Sequence, residues 1–403
     1  MHTPSAADQA TRNELKGLLD RPVVLFANDW YTDPTSKHHV ATVLSEATAV
    51  VWVESSGMRV PRLSAADLGR MWRKLSGRRG EARRPTTQPP VHIVSPLAVP
   101  LPGVAPAEWL NGWIYRRAIG RTIGSIGAGR DPLLWVYTPT TAPYLDRVPH
   151  EGLVYHFVDR WWEFTEYDAR TMRRHHERLC RSADVVFASA QELLEDCVGL
   201  TDRAHLVRHG VDWEHFSTAA LGELPVPEDI ADIEGPIVGF FGLIHDWIDR
   251  SVLLRVAEAW PEVTLVLIGE ARVDVEALRR RDNVRLLGRR PYAALPAYAR
   301  RFDVGLIPFV VNELTRAVNP IKLREYLSAG LPVVSTALPE IAVFGGLTSV
   351  HIADDSDHFV ELVGFALATE GGASERAERA RAMESESWHG RTLEMVRLWK
   401  GSR

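Results

Sequence analysis

The sequence predicts an α/β protein with two Rossmann-like domains, each built on a doubly wound parallel sheet. Short apolar runs, typical of strands buried on both faces, alternate with helical segments along the chain. This alternation starts near Arg21 and starts afresh at Pro236, so the two halves are alike in architecture. The length of 403 residues provides enough chain for two hydrophobic cores.

The first domain is predicted over residues 1–212. Strands at Arg21–Ala27 and Val50–Glu54, joined by a helix over 36–47, make the βαβ unit with which a doubly wound sheet begins. Further strands are predicted at residues 91–94, 133–137, 153–158 and 183–190, with helices at 109–126 and 169–181. A strand and turn over 204–212 close the domain.

The second domain is predicted over residues 236–385, after a linker at 213–235 that is rich in Glu, Pro and Leu. Its strands are predicted at residues 236–242, 263–269, 283–288, 304–309 and 331–335, and its helices at 249–259 and 293–301. An amphipathic helix is predicted over 388–399.

Residues 303–336 carry the strongest chemical signal. Two buried strands enclose a helix for which Asn319 is the predicted N-cap and Pro320 the first helical residue. The helix therefore begins where a parallel strand ends, and ligands of open α/β sheets bind at that edge. The free N–H groups and positive dipole end of such a helix favour an anion, and a diphosphate is the expected ligand.

Two side chains of this helix indicate a nucleotide. Lys322 lies in the first turn, where a cation opposes the helix dipole unless it meets an anion. Glu325 lies on the same face and can accept hydrogen bonds from the two vicinal hydroxyl groups of a ribose. The alternative is an ordinary surface ion pair between residues three apart on a helix.

This stretch resembles the donor-nucleotide motif of retaining glycosyltransferases with the GT-B fold, of family 4 and the related glycosyl transferases group 1. The family pattern has two Glu residues eight positions apart, followed by a helix and Gly-x-Pro-Val-Val. Here Glu325 is the second Glu, residues 330–334 match the end of the pattern, and Ala317 replaces the first Glu. Asn319-Pro320 replaces Phe-Gly, as in a branch similar to enzymes of teichuronic-acid and surface-polysaccharide assembly.

The resemblance implies two domains that face a cleft, with the donor nucleotide on the second and a terminal helix, residues 386–403, that returns to the first. It implies transfer of a sugar from a nucleoside-diphosphate sugar to an acceptor hydroxyl, with retention of configuration. The acceptor is a small molecule, a glycan or a lipid-linked glycan. Alternatives on the same fold are a sugar-nucleotide epimerase, a phosphorylase and a non-catalytic scaffold partner.

Donor-binding residues are expected at the ends of the second domain's strands and at the start of the helix. Relatives often hold the diphosphate with an Arg and a Lys after the first strand of this domain, but residues 243–249 contain neither. Lys322 and the nearby arginines are therefore expected to neutralise it. The predicted donor-binding set comprises Gly242, Arg250, Gly269, Glu270, Leu287, Arg316, Asn319, Pro320, Ile321, Lys322 and Glu325. For Gly269, Glu270 and Leu287 the alternative is simple turn geometry.

The reacting centre is expected at the end of the strand over 153–158. By resemblance, His156 or Asp159 fills the position that lies near the donor sugar, and Lys322 completes the predicted catalytic set. The alternative for His156 is a hydrogen-bonded structural imidazole. No metal and no cofactor are predicted, because cationic side chains can neutralise the diphosphate.

Residues after the first strand are interpreted as facing the acceptor. This acceptor-side set comprises Asp29, Lys37, His38 and His39, together with Trp161, whose flat apolar face suits a sugar ring. The alternative for the polar members is capping of the helix that follows.

Residues 70–84 are strongly basic within a chain of net charge −5. The basic residues of this segment, together with the apolar Met71, Trp72 and Leu75, are interpreted as a contact with an anionic membrane; the alternative is a solvated surface loop.

The net negative charge of the whole chain argues against nucleic-acid binding, and the polar N-terminus without a signal-peptide core predicts a cytoplasmic protein. Two cysteines, Cys180 and Cys197, are expected to be reduced core thiols, too few for a disulfide framework or a zinc site.

Overall fold

The computed structural model describes residues 6–27, 29–54, 90–99, 104–165, 167–369 and 371–402. It contains two compact units, one made of residues 1–189, 193–207 and 392–403 and the other of 190–192 and 208–391. Each unit is built around a parallel sheet, so the predicted fold class is confirmed. The basic segment 70–84 lies outside the described residues. Among those that are described, no helix is both long and apolar enough to cross a membrane.

The described strands of the first unit form one parallel sheet in the order β3-β2-β1-β4-β5-β6-β7. The strands are β1 Val23–Ala27, β2 Val50–Glu54, β3 His92–Val94, β4 Leu133–Val136, β5 Gly152–Phe157, β6 Val185–Ala188 and β7 Ala204–Leu206. The helices are α1 Ala6–Leu18, α2 Ser36–Ser45, α3 Ala105–Ser125, α4 Ala169–Ser182 and α5 Gln191–Glu195, of which the first two residues of α5 belong to the second unit. Short 3-10 helices lie at Pro139–Arg147 and Trp161–Glu163.

The strand order of the first unit positions its polar residues. β1 pairs with β2 on one side and with β4 on the other, where Val23 is opposite Leu133. The order reverses between β1 and β4, and the loops at such a switch point diverge and leave room for a ligand. All residues of β1 and β4 are buried, as their apolar sequences predict. The loop after β1 and the start of α2 carry the predicted acceptor-side residues 29 and 37–39, and the end of β5 and the loop after it carry His156 and Asp159.

The described strands of the second unit form a parallel sheet in the order β10-β9-β8-β11-β12-β13. The strands are β8 Ile237–Phe241, β9 Thr264–Ile268, β10 Val284–Gly288, β11 Val304–Ile307, β12 Val333–Thr336 and β13 Val350–Ala353. The helices are α6 Trp213–Leu221, α7 Arg250–Ala259, α8 Glu276–Arg279, α9 Leu295–Arg301, α10 Glu313–Arg316, α11 Ile321–Ser328, α12 Pro339–Ala342, α13 Ser356–Thr369, α14 Ala373–Ala382 and α15 Trp388–Gly401. Residues 392–403, which include most of α15, belong to the first unit.

Residues 213–235, interpreted from composition as a linker, contain the helix α6 and a 3-10 turn at Glu228–Ile230 and belong to the second unit. The reason is visible in the packing, because Phe216 of α6 is fully buried in the core of that unit. Trp213 donates a hydrogen bond of 2.6 Å from its indole to the carbonyl of Ala380. The abundance of Glu and Pro concealed these apolar anchors.

Candidate functional site

Two glycines shape the carboxyl end of the second sheet. Gly242 follows β8 and Gly269 follows β9, with φ angles of 145° and 147° that side chains rarely tolerate. The backbone N–H of Gly242 donates to the carbonyl of Ile268 at 2.8 Å, and that of Gly269 donates to Gly288 at 2.9 Å. A methyl group on Gly269 would overlap the carbonyl oxygen of Gly242. The strand ends therefore lie close together, without side chains between them.

Lys322 occupies the space beside Gly242. It is the second residue of α11, and a methyl group on Gly242 would overlap its Cε atom and lie 2.7 Å from Nζ. The ammonium group also lies 5.9 Å from the centre of the Phe240 ring. Burial lowers the pKa of this ammonium, and the nearby Glu325 carboxylate opposes that change. The structure thus brings the predicted residues Gly242, Gly269 and Lys322 together at one sheet edge.

Glu325 lies one turn below Lys322 in a setting of low polarity. Burial raises the pKa of its carboxyl group to about 7, the charge of Lys322 opposes this, and the charge of Asp212 adds to it. Burial is the main reason why the pKa of the Tyr292 phenol is raised, and the charges of Glu325 and Asp212 raise it further. The ring of Tyr292 stacks on His215 with their centres 4.7 Å apart. A carboxyl group whose pKa lies near neutrality is typical of a ligand site.

The start of α11 differs from the prediction. Pro320 precedes the helix as its N-cap, and the helix begins at Ile321. Asn319 is instead 2% exposed, and its side chain accepts a hydrogen bond of 2.9 Å from Arg324 and donates one of 2.7 Å to Glu340. The prediction of Asn319 as N-cap was wrong because a buried partner competes for its amide. The N–H groups of the first helical turn have no acceptor within the helix.

A buried acidic group holds this helix start in place. Glu340 is 2% exposed, and its carboxylate accepts hydrogen bonds of 2.7 Å from the backbone N–H of Gln191, from Arg208 and from Asn319. Arg324, which is 1% exposed, donates a further bond of 3.0 Å to Glu386. The position of Lys322 and Glu325 therefore depends on a network of paired charges beneath them.

The two arginines predicted to help neutralise a diphosphate have other partners. Arg250 is the first residue of α7 and donates to the carbonyl of Asp274 at 2.6 Å. Arg316 pairs with Glu192 at 3.0 Å and is largely exposed. Of the predicted cations Arg250, Arg316 and Lys322, it is Lys322 that lies against Gly242, the residue after β8.

The residues predicted to surround the base take part in turn contacts. Glu270 pairs with Arg272 at 2.8 Å, with both side chains more than half exposed. The carbonyl of Leu287 accepts a hydrogen bond of 2.5 Å from Arg290. The backbone of Gly269 lies next to Gly242, as described above.

A second group of charged residues lies in the first unit. Lys37 of α2 is 7% exposed and lies over the rings of Trp161 and Tyr137, with its Nζ atom 5.2 and 5.7 Å from their centres. Burial raises the pKa of Asp159 to about 6, which the charge of Lys37 opposes. Burial likewise lowers the pKa of Lys37, which Asp159 opposes. The structure therefore joins three predicted residues, Lys37, Asp159 and Trp161, in one cluster.

His156 and Asp159 have different surroundings. His156 lies within β5, is 1% exposed and accepts a hydrogen bond of 3.3 Å from the indole of Trp135. Its ring packs against Tyr137 with their centres 4.8 Å apart. Asp159 lies beyond the end of β5 and is partly exposed. The geometry thus favours Asp159 over His156 as the group that a ligand can reach.

His38 and Asp29 form contacts of the kind that cap and flank a helix. The Nδ1 atom of His38 accepts from the backbone N–H of Thr35 at 3.1 Å, and its Nε2 atom lies 3.1 Å from the carbonyl of Trp30. Burial lowers the pKa of His38 to about 4, so the imidazole is neutral at pH 7. Asp29 accepts from the N–H of Tyr31 in an exposed turn, and His39 is partly exposed on α2.

Sequence reasoning missed Asp212 and Tyr292 as neighbours of Glu325. Each is far from Glu325 along the chain, and each lies in a segment that was interpreted as a turn or a connection. Asp212 ends the predicted strand and turn over 204–212, and Asp is a favoured N-cap, which could have marked it as the start of α6. Tyr292 lies in a short 3-10 helix and has no sequence signal beyond its aromatic ring.

Comparison with known proteins agrees with the resemblance found in the sequence. Residues 235–368 match the family model for glycosyl transferases group 1. An alignment over 183 residues, which covers 43% of this chain, shows 28% identity to the putative teichuronic acid biosynthesis glycosyltransferase TuaH of Bacillus subtilis (strain 168). The alignment spans 46% of the relative, about half its length. The predicted resemblance to group 1 and teichuronic-acid enzymes is confirmed.

Solved structures show the same fold over nearly the whole chain. Sucrose-phosphate synthase of Thermosynechococcus elongatus has a TM-score of 0.65 at 14% identity and covers 94% of this chain and 98% of its own. HepE of Anabaena, solved with UDP and glucose, has a TM-score of 0.64 at 14% identity with the same coverage. A glycosyltransferase of Rickettsia africae has a TM-score of 0.66 at 10% identity, with 95% and 98% covered. The architecture is that of the GT-B fold.

Proposed function

We propose, on the premise that residues 235–368 form a Glycosyl transferases group 1 domain, that this chain transfers a sugar from a nucleoside-diphosphate sugar to an acceptor hydroxyl group. The observation that carries the proposal is the position of Lys322 against the glycine turn of β8, with Glu325 one turn below it. The bound ligands of HepE, which include UDP-glucose, make a UDP-sugar the first donor to test.

The chemistry of the site follows from its charges. When the bond between sugar and diphosphate breaks, negative charge grows on the leaving oxygen, and a fixed cation stabilises it. We expect Lys322 and the backbone N–H groups at the start of α11 to supply this stabilisation. A diphosphate oxygen would then receive the proton of the acceptor, so that no separate base is needed on that face. We propose retention of configuration, which such an attack from the leaving-group side produces.

Glu325 is proposed to bind the ribose. Its carboxylate lies beyond the phosphate site along α11 and can accept hydrogen bonds from both vicinal hydroxyl groups. The ring of Tyr292, which stacks on His215 and whose pKa the charge of Glu325 raises, is proposed to offer an apolar surface to the nucleoside. Asp159 and Lys37 are proposed to take part in acceptor or sugar binding in the first unit.

A screen for transfer tests the proposed activity as a whole. The full chain is incubated with UDP-sugars and other nucleoside-diphosphate sugars, together with glycan, lipid-linked and small acceptors, and products are identified by mass spectrometry. A product heavier than the acceptor by one sugar, formed with one donor, supports the proposal. If every donor and acceptor is recovered unchanged and no nucleotide binds, the non-catalytic scaffold is the better interpretation.

Replacing Glu325 by Ala is expected to weaken binding of the nucleoside diphosphate by about 1–3 kcal/mol, because charge-assisted hydrogen bonds to the ribose are lost. Titration calorimetry with the nucleotide measures this change. Glu361→Ala, which alters an exposed carboxylate of α13, is the matched control and should bind like the wild type. Equal nucleotide affinity in the two variants would contradict the proposal that Glu325 binds the ribose.

Nucleotide binding should depend on pH through Glu325. With its pKa at about 7 in the free protein, this carboxyl group is mostly protonated below neutrality and mostly ionised above it. The ionised form accepts the stronger hydrogen bonds, so affinity should fall about tenfold as the pH drops from about 8 to about 6. Glu325→Gln keeps the shape without the titration, and the phosphates titrate equally in both proteins. A pH profile that is the same for both would contradict this assignment.

A further inference from the structure

Three metal-ligating side chains meet in the core of the first unit, outside residues 235–368 of the sequence. His176, Cys180 and Cys197 are 3%, 0% and 1% exposed. His176 and Cys180 are four residues apart on one face of α4, and Cys197 follows α5. Their ligand atoms all lie within 4.8 Å of one another. Within the described residues, no second group of this kind is found.

Two of the three distances between these atoms match those of a tetrahedral zinc site. The Sγ atoms of Cys180 and Cys197 are 3.9 Å apart, and the Nε2 atom of His176 lies 3.5 Å from the Sγ atom of Cys180. Tetrahedral angles with Zn–S and Zn–N bonds of about 2.3 and 2.0 Å require separations of about 3.8 and 3.5 Å. A disulfide requires about 2.05 Å between the sulfurs, so the two thiols are not bonded.

We propose that His176, Cys180 and Cys197 bind one structural Zn²⁺ ion in the first unit. The ion goes beyond the proposed sugar transfer, because it lies in the core and not at a substrate site. Two thiolates and a neutral imidazole carry the charge that cancels a divalent cation, which allows the complex to be buried. The carbonyl oxygen of Asp196, 3.5 Å from Nε2, is positioned as a fourth ligand.

Groups around the three ligands fit this role. The hydroxyl group of Tyr155 lies 3.1 Å from the Nδ1 atom of His176, a contact that fixes the ring and leaves Nε2 for a metal. Phe157 packs on the imidazole with ring centres 4.4 Å apart, so the ligands have an apolar shell. The carboxylate of Asp196 pairs with Arg160 at 2.8 Å, and this ion pair leaves no excess charge there.

The ion would tie α4 to the segment after α5. Tyr155 and Phe157 of β5 cover it, and the loop with Asp159 begins just beyond this strand. Metal binding would therefore stabilise the layer on which that loop rests. Its energy is folding energy, because the ligands are not assembled in the unfolded chain.

The test measures metal in the full chain purified from cells grown with added zinc. Elemental analysis should find about one zinc per chain, and Co²⁺ added to metal-free protein should give the visible bands of tetrahedral thiolate coordination. Cys180→Ser combined with Cys197→Ser should lose both signals. His175→Gln, at a neighbouring buried histidine of α4, is the matched control and should keep both.

A graded variant separates metal binding from general destabilisation. Tyr155→Phe removes the hydroxyl group that orients His176, and zinc affinity should fall about tenfold while the ion is still bound. Removing zinc with a strong chelator should lower the melting temperature of the wild type and leave that of the double Cys variant unchanged. Folded wild-type protein that holds no zinc and binds no Co²⁺ would overturn the proposal, as would a disulfide between the two cysteines. Sugar transfer in zinc-free protein would leave the proposed function standing on its own.

Discussion

Replacing Lys322 by Met should lower the rate of sugar transfer by about 10²–10³-fold, because the fixed cation nearest the leaving diphosphate is lost. Methionine keeps the length of the side chain and fills the space beside Gly242 and Phe240. The loss should fall mainly on kcat, since the charge on the leaving oxygen grows as the bond breaks. Steady-state kinetics with the donor identified by the screen measures both constants.

The control for this prediction is Lys16→Met, which removes an exposed lysine of α1. It should transfer sugar at the wild-type rate. If Lys322→Met also transfers at that rate, the diphosphate does not depend on this cation, and the donor site must lie elsewhere.

Replacing Arg324 by Met should lower the free energy of unfolding by about 3 kcal/mol, because the buried Asn319 oxygen loses its donor and Glu386 keeps Arg391 but loses its buried partner. The guanidinium group is 1% exposed and bonds both Glu386, at 3.0 Å, and Asn319, at 2.9 Å. Its loss leaves the Asn319 oxygen and the Glu386 carboxylate without this donor. Urea unfolding followed by ellipticity and tryptophan fluorescence measures the change.

Arg255→Met is the control, because Arg255 pairs with Asp357 on the surface, where such pairs contribute less than about 1 kcal/mol. A comparable loss in both variants would show that the buried network contributes no more than a surface pair. Arg324→Met should also weaken nucleotide binding, since Asn319 and Arg324 fix the start of α11.

Most of the fold could be predicted because buried parallel strands have a distinctive composition. β1, β4 and β8 are continuous apolar runs, and all three are fully buried strands. The helix α6 within 213–235 was not predicted, for the opposite reason. α6 is anchored by few residues, chiefly Trp213 and Phe216, within a segment whose charged and Pro-rich composition is typical of a linker.

The candidate site was predictable where its residues are close in sequence. Lys322 and Glu325 share one helix, so their spacing alone placed them on one face. Asn319 was misassigned because its partners Arg324 and Glu340 compete with the capping role, and Glu340 is separated from it by β12. Asp212 and Tyr292 reach Glu325 only through the tertiary fold, which local patterns do not encode.

The cluster around the two cysteines was also missed because it forms through the tertiary fold. Cys180 and Cys197 were correctly predicted to be buried, and their number argued against a zinc site. His176 completes the cluster, yet it lies in a helix with several other polar residues and carried no separate signal. Only the packing of α4 against the segment after α5 brings Cys197 to the pair that His176 and Cys180 form on α4.

The most direct test is a crystal structure of the full chain with a bound nucleoside diphosphate. We predict that the diphosphate lies within hydrogen-bond distance of Lys322 Nζ and the N–H groups at the start of α11, beside Gly242. The ribose hydroxyl groups should bond to the Glu325 carboxylate. A nucleotide bound at another place, with Lys322 and Glu325 contacting no part of it, would contradict the account.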